Sequence, residues 1–252
     1  MRPFLISERC KTLRDVYPQS AVLREAIKGV GHLELLGILR LWFSEGIPFA
    51  FRANPMLYEV VREWMAMRLQ VNPKNVTMIG SGRIGYSMCP LPKFGREFSA
   101  ESDLDYSVID HKLFSDLVST YFEWESDVDS GRVSPRNNRQ RGFWNDSLKR
   151  LPENIARGFI DPYKIPAWHR YPKIITMQDT LYLLGERLRI TPDAPKIKQL
   201  SVRVYKDWNS FFRQMCLNIS LTVASFLATG LVTVTHGTPS RLIAKEPRTR
   251  LQ

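Results

Sequence analysis

The stretch "HLELLGILRLWF" has apolar residues at 33, 35, 36, 38, 39, 41, 42 and 43, nearly all round, which predicts a helix covered on most sides. A turn-rich connector, "SEGIPFAF", separates it from a better-marked helix. There Asn54 is placed to cap, Pro55 suits the first helical position, and Leu57, Val61, Trp64, Met65 and Leu69 fall on one face. After the turn "VNPKN", the short β-branched run "VTMI" predicts a buried strand ending at Gly80. "PLPKFGREFSAES" holds too much Pro and Gly for regular structure and predicts an inserted loop. "DLDYSVI" predicts a second strand beside the first, and "KLFSDLVSTYFEWES" a helix through Leu113, Leu117, Val118, Tyr121 and Phe122. Further on, "MQDTLYLLGERLRI" predicts a helix. "LSVRVYKDW" predicts a third strand with Val202 and Val204 on one face and Arg203 and Tyr205 on the other, and "NSFFRQMCLNISLTVASFL" a last helix.

These elements divide the chain into an N-terminal helical segment over residues 1–70, a core over 71–234 and a loose basic tail over 235–252. Residues 130–175 have weak periodicity and predict a basic insertion within the core. The chain's 252 residues and 44% hydrophobic content are those of an ordinary folded protein. Met215 to Val234 is about as long as a membrane span, but Asn218, Ser220, Thr222, Ser225 and Thr229 dilute it, so a buried helix or strand and no membrane partner are expected. The N-terminus turns charged by its eighth residue and lacks a secretory apolar region. Cys10, Cys89 and Cys216 are odd in number and widely spaced, which fits a reducing, cytoplasmic setting rather than a disulfide framework.

The formal charge is +11, and its distribution narrows the choice of partners. Between Ser130 and Lys173 ten basic residues meet only three acids. Arg136, Arg139, Arg141, Lys149 and Arg150 could follow a nucleic-acid backbone while Phe143 or Trp144 stacks on bases, or the same stretch could pack on an acidic partner protein.

The densest chemistry lies in "MIGSGRIGYS…SDLDYSVID". On a strand, residues two apart share a face, so Asp103 and Asp105 set two carboxylates about 7 Å apart at the backbone. Two like charges that close repel unless solvated or bridged by a cation, and a hard divalent ion such as Mg²⁺ or Mn²⁺ prefers such oxygens. Gly80, Gly82 and Gly85 remove side chains after a strand, where exposed amides can hold an anion, and Ser81 adds a hydroxyl. Arg83 and Arg96 flank the pair and are candidate triphosphate ligands. The glycines also fit the dinucleotide spacing GxGxxG, but a Pro-rich loop rather than a helix leads to the second strand, and that strand opens with acids.

Strand, Gly-Ser, an intervening "FGR" loop and "DLDY" on the neighbouring strand together resemble the DNA polymerase beta-like nucleotidyltransferase superfamily, in particular its bacterial stand-alone members. With the flanking "FSEGIPFAF…NPMLYEVVREWMA" the resemblance spans about 90 residues. It implies an α+β fold with a small mixed sheet flanked by N- and C-terminal helices. It further implies Mg²⁺ (or Mn²⁺) on Asp103 and Asp105, a nucleoside triphosphate whose phosphates meet Gly80 and Ser81, and transfer of a nucleoside monophosphate to an RNA, protein or nucleotide hydroxyl. A setting in a bacterial toxin or antiviral defence system follows from the resemblance alone. The superfamily draws a third carboxylate from a later strand. Here the centre of that strand is Arg203, leaving Asp207 at its end as the candidate, while Glu123, Glu125, Asp127 and Asp129 read as a solvated face. Without a third acid, the resemblance implies an impaired enzyme that binds nucleic acid or a partner subunit in a larger complex.

Overall fold

A computed structural model of the chain describes residues 3–234, with side chains to residue 228; the expected tail at 235–252 lies outside the described residues. The architecture is α+β: a small mixed sheet of four strands with helices on both faces. Short helices α1 (Glu8–Lys11), α2 (Ser20–Ile27) and α3 (His32–Ile38) lead through a π-helical turn, Leu39–Ser44, to α4 (Pro55–Leu69). Asn54 Oδ1 accepts the Leu57 N–H at 3.4 Å and Pro55 opens the first turn of α4, as the sequence signals. Strand β1 (Val76–Ile79) follows, then a single helical turn α5 (Ser81–Ile84) and the irregular loop before β2 (Leu104–Ile109).

Helix α6 (His111–Asp129), capped by Asp110, leads to α7 (Asn138–Ala156) and the two-residue strand β3 (Phe159–Ile160). The chain closes with α8 (Pro172–Ile190), β4 (Leu200–Tyr205) and α9 (Trp208–Val234). The order across the sheet is β1-β2-β4-β3. β1 runs antiparallel to β2, β2 parallel to β4, and β3 antiparallel to β4.

The sheet's two faces differ, and the difference places the site. Val76, Met78, Leu104, Tyr106, Val108, Val202 and Val204 share one face and one apolar core with α4, α6, α7 and α8. The alternate positions, Thr77, Ile79, Asp105, Ser107, Ser201, Arg203 and Tyr205, face the other way, where α2, α3, the π-helical turn and α9 pack. This second face is only partly apolar and leaves polar side chains at the middle of the sheet.

The 130–175 stretch, expected as a basic insertion, supplies α7, the edge strand β3 and the entry to α8, and buries Trp144, Leu151, Ile160, Ile165 and Tyr171 in the core. Its periodicity is weak because α7 buries only Trp144, Ser147 and Leu151 among nineteen mostly polar residues. The helix at 32–43 is covered on one side only. Ile38, Leu39 and Phe43 are buried, while Leu33 and Leu41 stand exposed. Along α9, Phe211, Met215, Ile219 and Phe226 join the second core. Its segment Trp208–Ala228 is long and apolar enough, by length and composition, to cross a membrane.

Candidate functional site

A cleft of about 740 Å³ opens on the polar face of the sheet. Its floor carries Gly80, Ser81, Asp103 and Asp105, and its walls come from the 87–96 loop, α7, the turn after β3, and α9. The antiparallel register sets Asp105 opposite Ile79, so the end of β1 and its Gly-Ser turn lie against the carboxylate.

Gly80 explains how closely they approach. Its φ of +71° lies in the left-handed region, and a Cβ there would sit 2.9 Å from Asp105 Oδ2. Glycine is thus required by both the backbone and the neighbouring carboxylate. A Cβ at Gly82 would strike Leu104, and one at Gly85 would strike Phe49, where the backbone is again left-handed at a φ of +95°.

Asp105 Oδ1 accepts the Ser201 hydroxyl at 2.6 Å across the parallel β2–β4 pair. Burial raises the Asp105 pKa above the ordinary carboxylate value; the Asp103 charge adds to the rise, and the Ser201 hydrogen bond and the Arg203 charge oppose it. Asp103 Oδ2 accepts from Gln199 Nε2 at 3.1 Å, whereas its Oδ1 is buried with no hydrogen-bond partner among the described residues. An unpartnered buried carboxylate oxygen costs a few kcal/mol unless something pairs with it, roughly 1–3 kcal/mol even for a neutral group. The donor set therefore fits a hard divalent cation held by Asp103 and Asp105.

Of the other expected residues, Arg96 and Arg150 line the same cleft. Arg83 does not. It is buried, its Nε donating to the Trp42 carbonyl at 3.0 Å and a terminal amine to the Gly46 carbonyl at 2.9 Å, so it fastens the N-terminal segment to α5. Asp207 does not either. Asp105 pairs with Ser201, and Asp207 follows six residues later, on the order of 20 Å along the strand direction. Its Oδ1 accepts the Ser210 N–H at 2.7 Å at the start of α9, and that bond lowers its pKa. Matching parity on β4 was no guide, because parity fixes the face and not the position along it.

The carboxylate that does reach the cleft is Asp161, just past β3. Its Oδ1 accepts from Arg203 Nε at 2.8 Å and its Oδ2 from Asn154 Nδ2 at 3.2 Å. Arg203 thus holds the mid-strand place and Asp161 answers it from the edge strand. Among the described residues no group of three His, Cys, Asp or Glu side chains converges as a metal-ligand set. Lys93 and Lys164 also line the cleft, giving with Arg96, Arg150 and Arg203 five cationic side chains around three carboxylates. Asp161 and Lys164 are hard to read from the sequence, because a two-residue edge strand has no period; the one signal is the apolar pair before "DP".

The surface candidates separate cleanly. Arg136, Arg139, Arg141 and Lys149 are exposed. Trp144 is 2% exposed and lies edge-on between Trp124 and Trp168, so it cannot stack on a base. Asp127, expected on a solvated face, is buried and takes Arg132, Arg170 and Tyr171 as partners.

No protein-family model, no curated protein and no solved structure matches the chain.

Proposed function

We propose that the cleft is the active site of a metal-dependent nucleotidyltransferase of the DNA polymerase beta-like type, which moves a nucleoside monophosphate from a nucleoside triphosphate to a hydroxyl of RNA, protein or another nucleotide. The observation that carries this reading is the meeting of the Gly80-Ser81 turn with Asp103 and Asp105 inside a cleft walled by cations, with Asp103 Oδ1 buried and unpartnered. Asp103 and Asp105 would hold Mg²⁺ or Mn²⁺. When bound, such a cation neutralises phosphate charge and polarises the phosphoryl oxygens.

The chain's own groups do the rest. Ser81 offers its hydroxyl to a phosphate oxygen, and Gly80 keeps that turn against Asp105. Lys93 and Arg96, both on the 87–96 loop, supply positive charge for the outer phosphates and the departing pyrophosphate. Ser201 orients Asp105 and favours its ionised form. Asp161 holds Arg203 through an ion pair, so the guanidinium stays fixed beside the reacting phosphate rather than swinging into solvent. Arg150 brings α7 to the mouth of the cleft, and an acceptor polyanion meets the exposed Arg136, Arg139, Arg141 and Lys149 on and beside that helix.

Arg203 also favours a second reading. A cation in place of the mid-strand carboxylate suits a subunit that binds the nucleotide and a nucleic acid or partner protein without turning over. One experiment separates them. The protein is incubated with each α-³²P-labelled triphosphate, Mg²⁺ or Mn²⁺, total RNA and total protein, and bound and covalently transferred label are counted separately. Transferred label lost in Asp103→Asn and Asp105→Asn establishes the enzyme. Bound label with no transfer establishes the second reading, and neither bound nor transferred label refutes both.

A further inference from the structure

Among the described residues, two buried side-chain oxygens in the cleft have no hydrogen-bond partner: Asp103 Oδ1 on the floor, and Gln214 Oε1 on the α9 wall. The first is anionic and suits a cation. The second is a neutral acceptor, useless to a phosphate and a poor substitute for a carboxylate toward a metal, so it calls for a different ligand group. Its surroundings say which. Gln214 Nε2 donates to Asn218 Oδ1 at 3.0 Å, one helical turn on, and this bond at the exposed edge of the cleft sets which atom of each amide is left over. The pair then presents an acceptor, Gln214 Oε1, and a donor, Asn218 Nδ2. Met88, Met215 and Ile219 line the cleft beside them and offer apolar contact to the flat face of a ring. The placement is unusual for this helix, whose neighbouring residues are mostly apolar.

We propose that Gln214 and Asn218 read the edge of the nucleobase and select bases that carry an exocyclic amino group next to a ring-nitrogen acceptor, adenine and cytosine, over the oxo bases guanine and uracil. This rests on the triphosphate reading of the cleft. An exocyclic group projects beyond the ring nitrogen beside it, so it reaches the more deeply set atom of the wall. That atom is an acceptor, which welcomes an amino group and leaves a carbonyl oxygen facing an oxygen. The more exposed Asn218 amide meets the ring nitrogen. Amides facing a base edge discriminate by about tenfold or more.

The test is equilibrium binding of the four α,β-methylene nucleoside triphosphate analogues to the intact chain in Mg²⁺. The adenine and cytosine analogues should bind about tenfold tighter than the guanine and uracil ones. Gln214→Leu should bring all four to similar affinity while Mg²⁺-dependent binding persists. Asn218→Ala, at an exposed position, should weaken the preference by releasing the Gln214 amide, and it serves where Gln214→Leu fails to fold. Equal binding of all four by the wild-type chain, a purine-over-pyrimidine pattern or a preference for the oxo bases overturns this inference and leaves the triphosphate reading standing. Binding of none of the four overturns both.

Discussion

Gly80 concentrates the residue-scale argument, since a left-handed backbone and a carboxylate 2.9 Å from where a Cβ would sit both forbid a side chain there. Gly80→Ala should therefore cost about 1–3 kcal/mol in urea unfolding and weaken Mg²⁺-nucleotide binding by moving Asp105. Gly37→Ala, in α3 with open space around the new methyl, should gain up to about 1 kcal/mol. Equal effects at the two positions would contradict the assignment. Asp103 gives a complementary expectation. Asp103→Asn relieves repulsion with Asp105, so its melting temperature without metal should match or exceed the wild type, while the rise in melting temperature on adding Mg²⁺ and nucleotide should vanish. The Gly-Ser turn and the aspartate pair were legible because each is a local pattern. Asp161, Lys164 and Gln214 were not, since what makes them notable is the company they keep across the cleft.

At the scale of elements, the stretch that reads as basic is tied to α6 at two points. Trp144 ties α7 into the core through Trp124 and Trp168, and Trp144→Ala should cost about 3–5 kcal/mol. Asp127 on α6 takes Arg132 Nε at 2.5 Å, Arg170 Nε at 3.1 Å and the Tyr171 hydroxyl at 2.9 Å, joining the end of α6 to the entry of α8. The Arg132 hydrogen bond first, then Tyr171 and the neighbouring charges, hold its pKa below the ordinary value. A depressed carboxylate stabilises the fold above its unfolded pKa of about 3.9, and the contribution is lost as pH falls through the folded value. Asp127→Asn should thus melt well below the wild type at neutral pH, and the gap should close as the pH drops below about 4. A gap unchanged down to about pH 2 would show that the ion pairs do not carry it. Helices with a cap or an apolar stripe, such as α4 and α6, were readable one by one; β3 and the role of α7 were not, because neither has a local apolar period.

For the whole molecule, the +11 charge is unevenly spread, and the exposed Arg136, Arg139, Arg141 and Lys149 lie on and beside the helix that brings Arg150 to the cleft. If an acceptor nucleic acid follows this surface, its affinity should fall steeply with salt. Arg139→Ala with Arg141→Ala should lower the slope of log affinity against log salt by about 0.7 for each single-strand phosphate contact removed. Such a pair on the surface should change stability by no more than about 0.5 kcal/mol, so binding and folding effects separate. Binding indifferent to salt would show that these side chains do not carry the contact.

The sequence by itself determined three of the four strands, the helices with an apolar stripe, the Asn54 cap, and the positions of Gly80, Ser81, Asp103 and Asp105, because alternation, capping and turn chemistry act between residues a few places apart. Only the tertiary structure decided that Arg83 is a fastener, that Asp207 caps α9 at the far end of β4, that Trp144 is core, and that Asp161, Arg203 and Gln214 line one cleft with the aspartate pair. Those outcomes depend on strand order, register and the packing of α9 over the sheet. Each is set by burial summed over the whole chain, which no short window of residues contains.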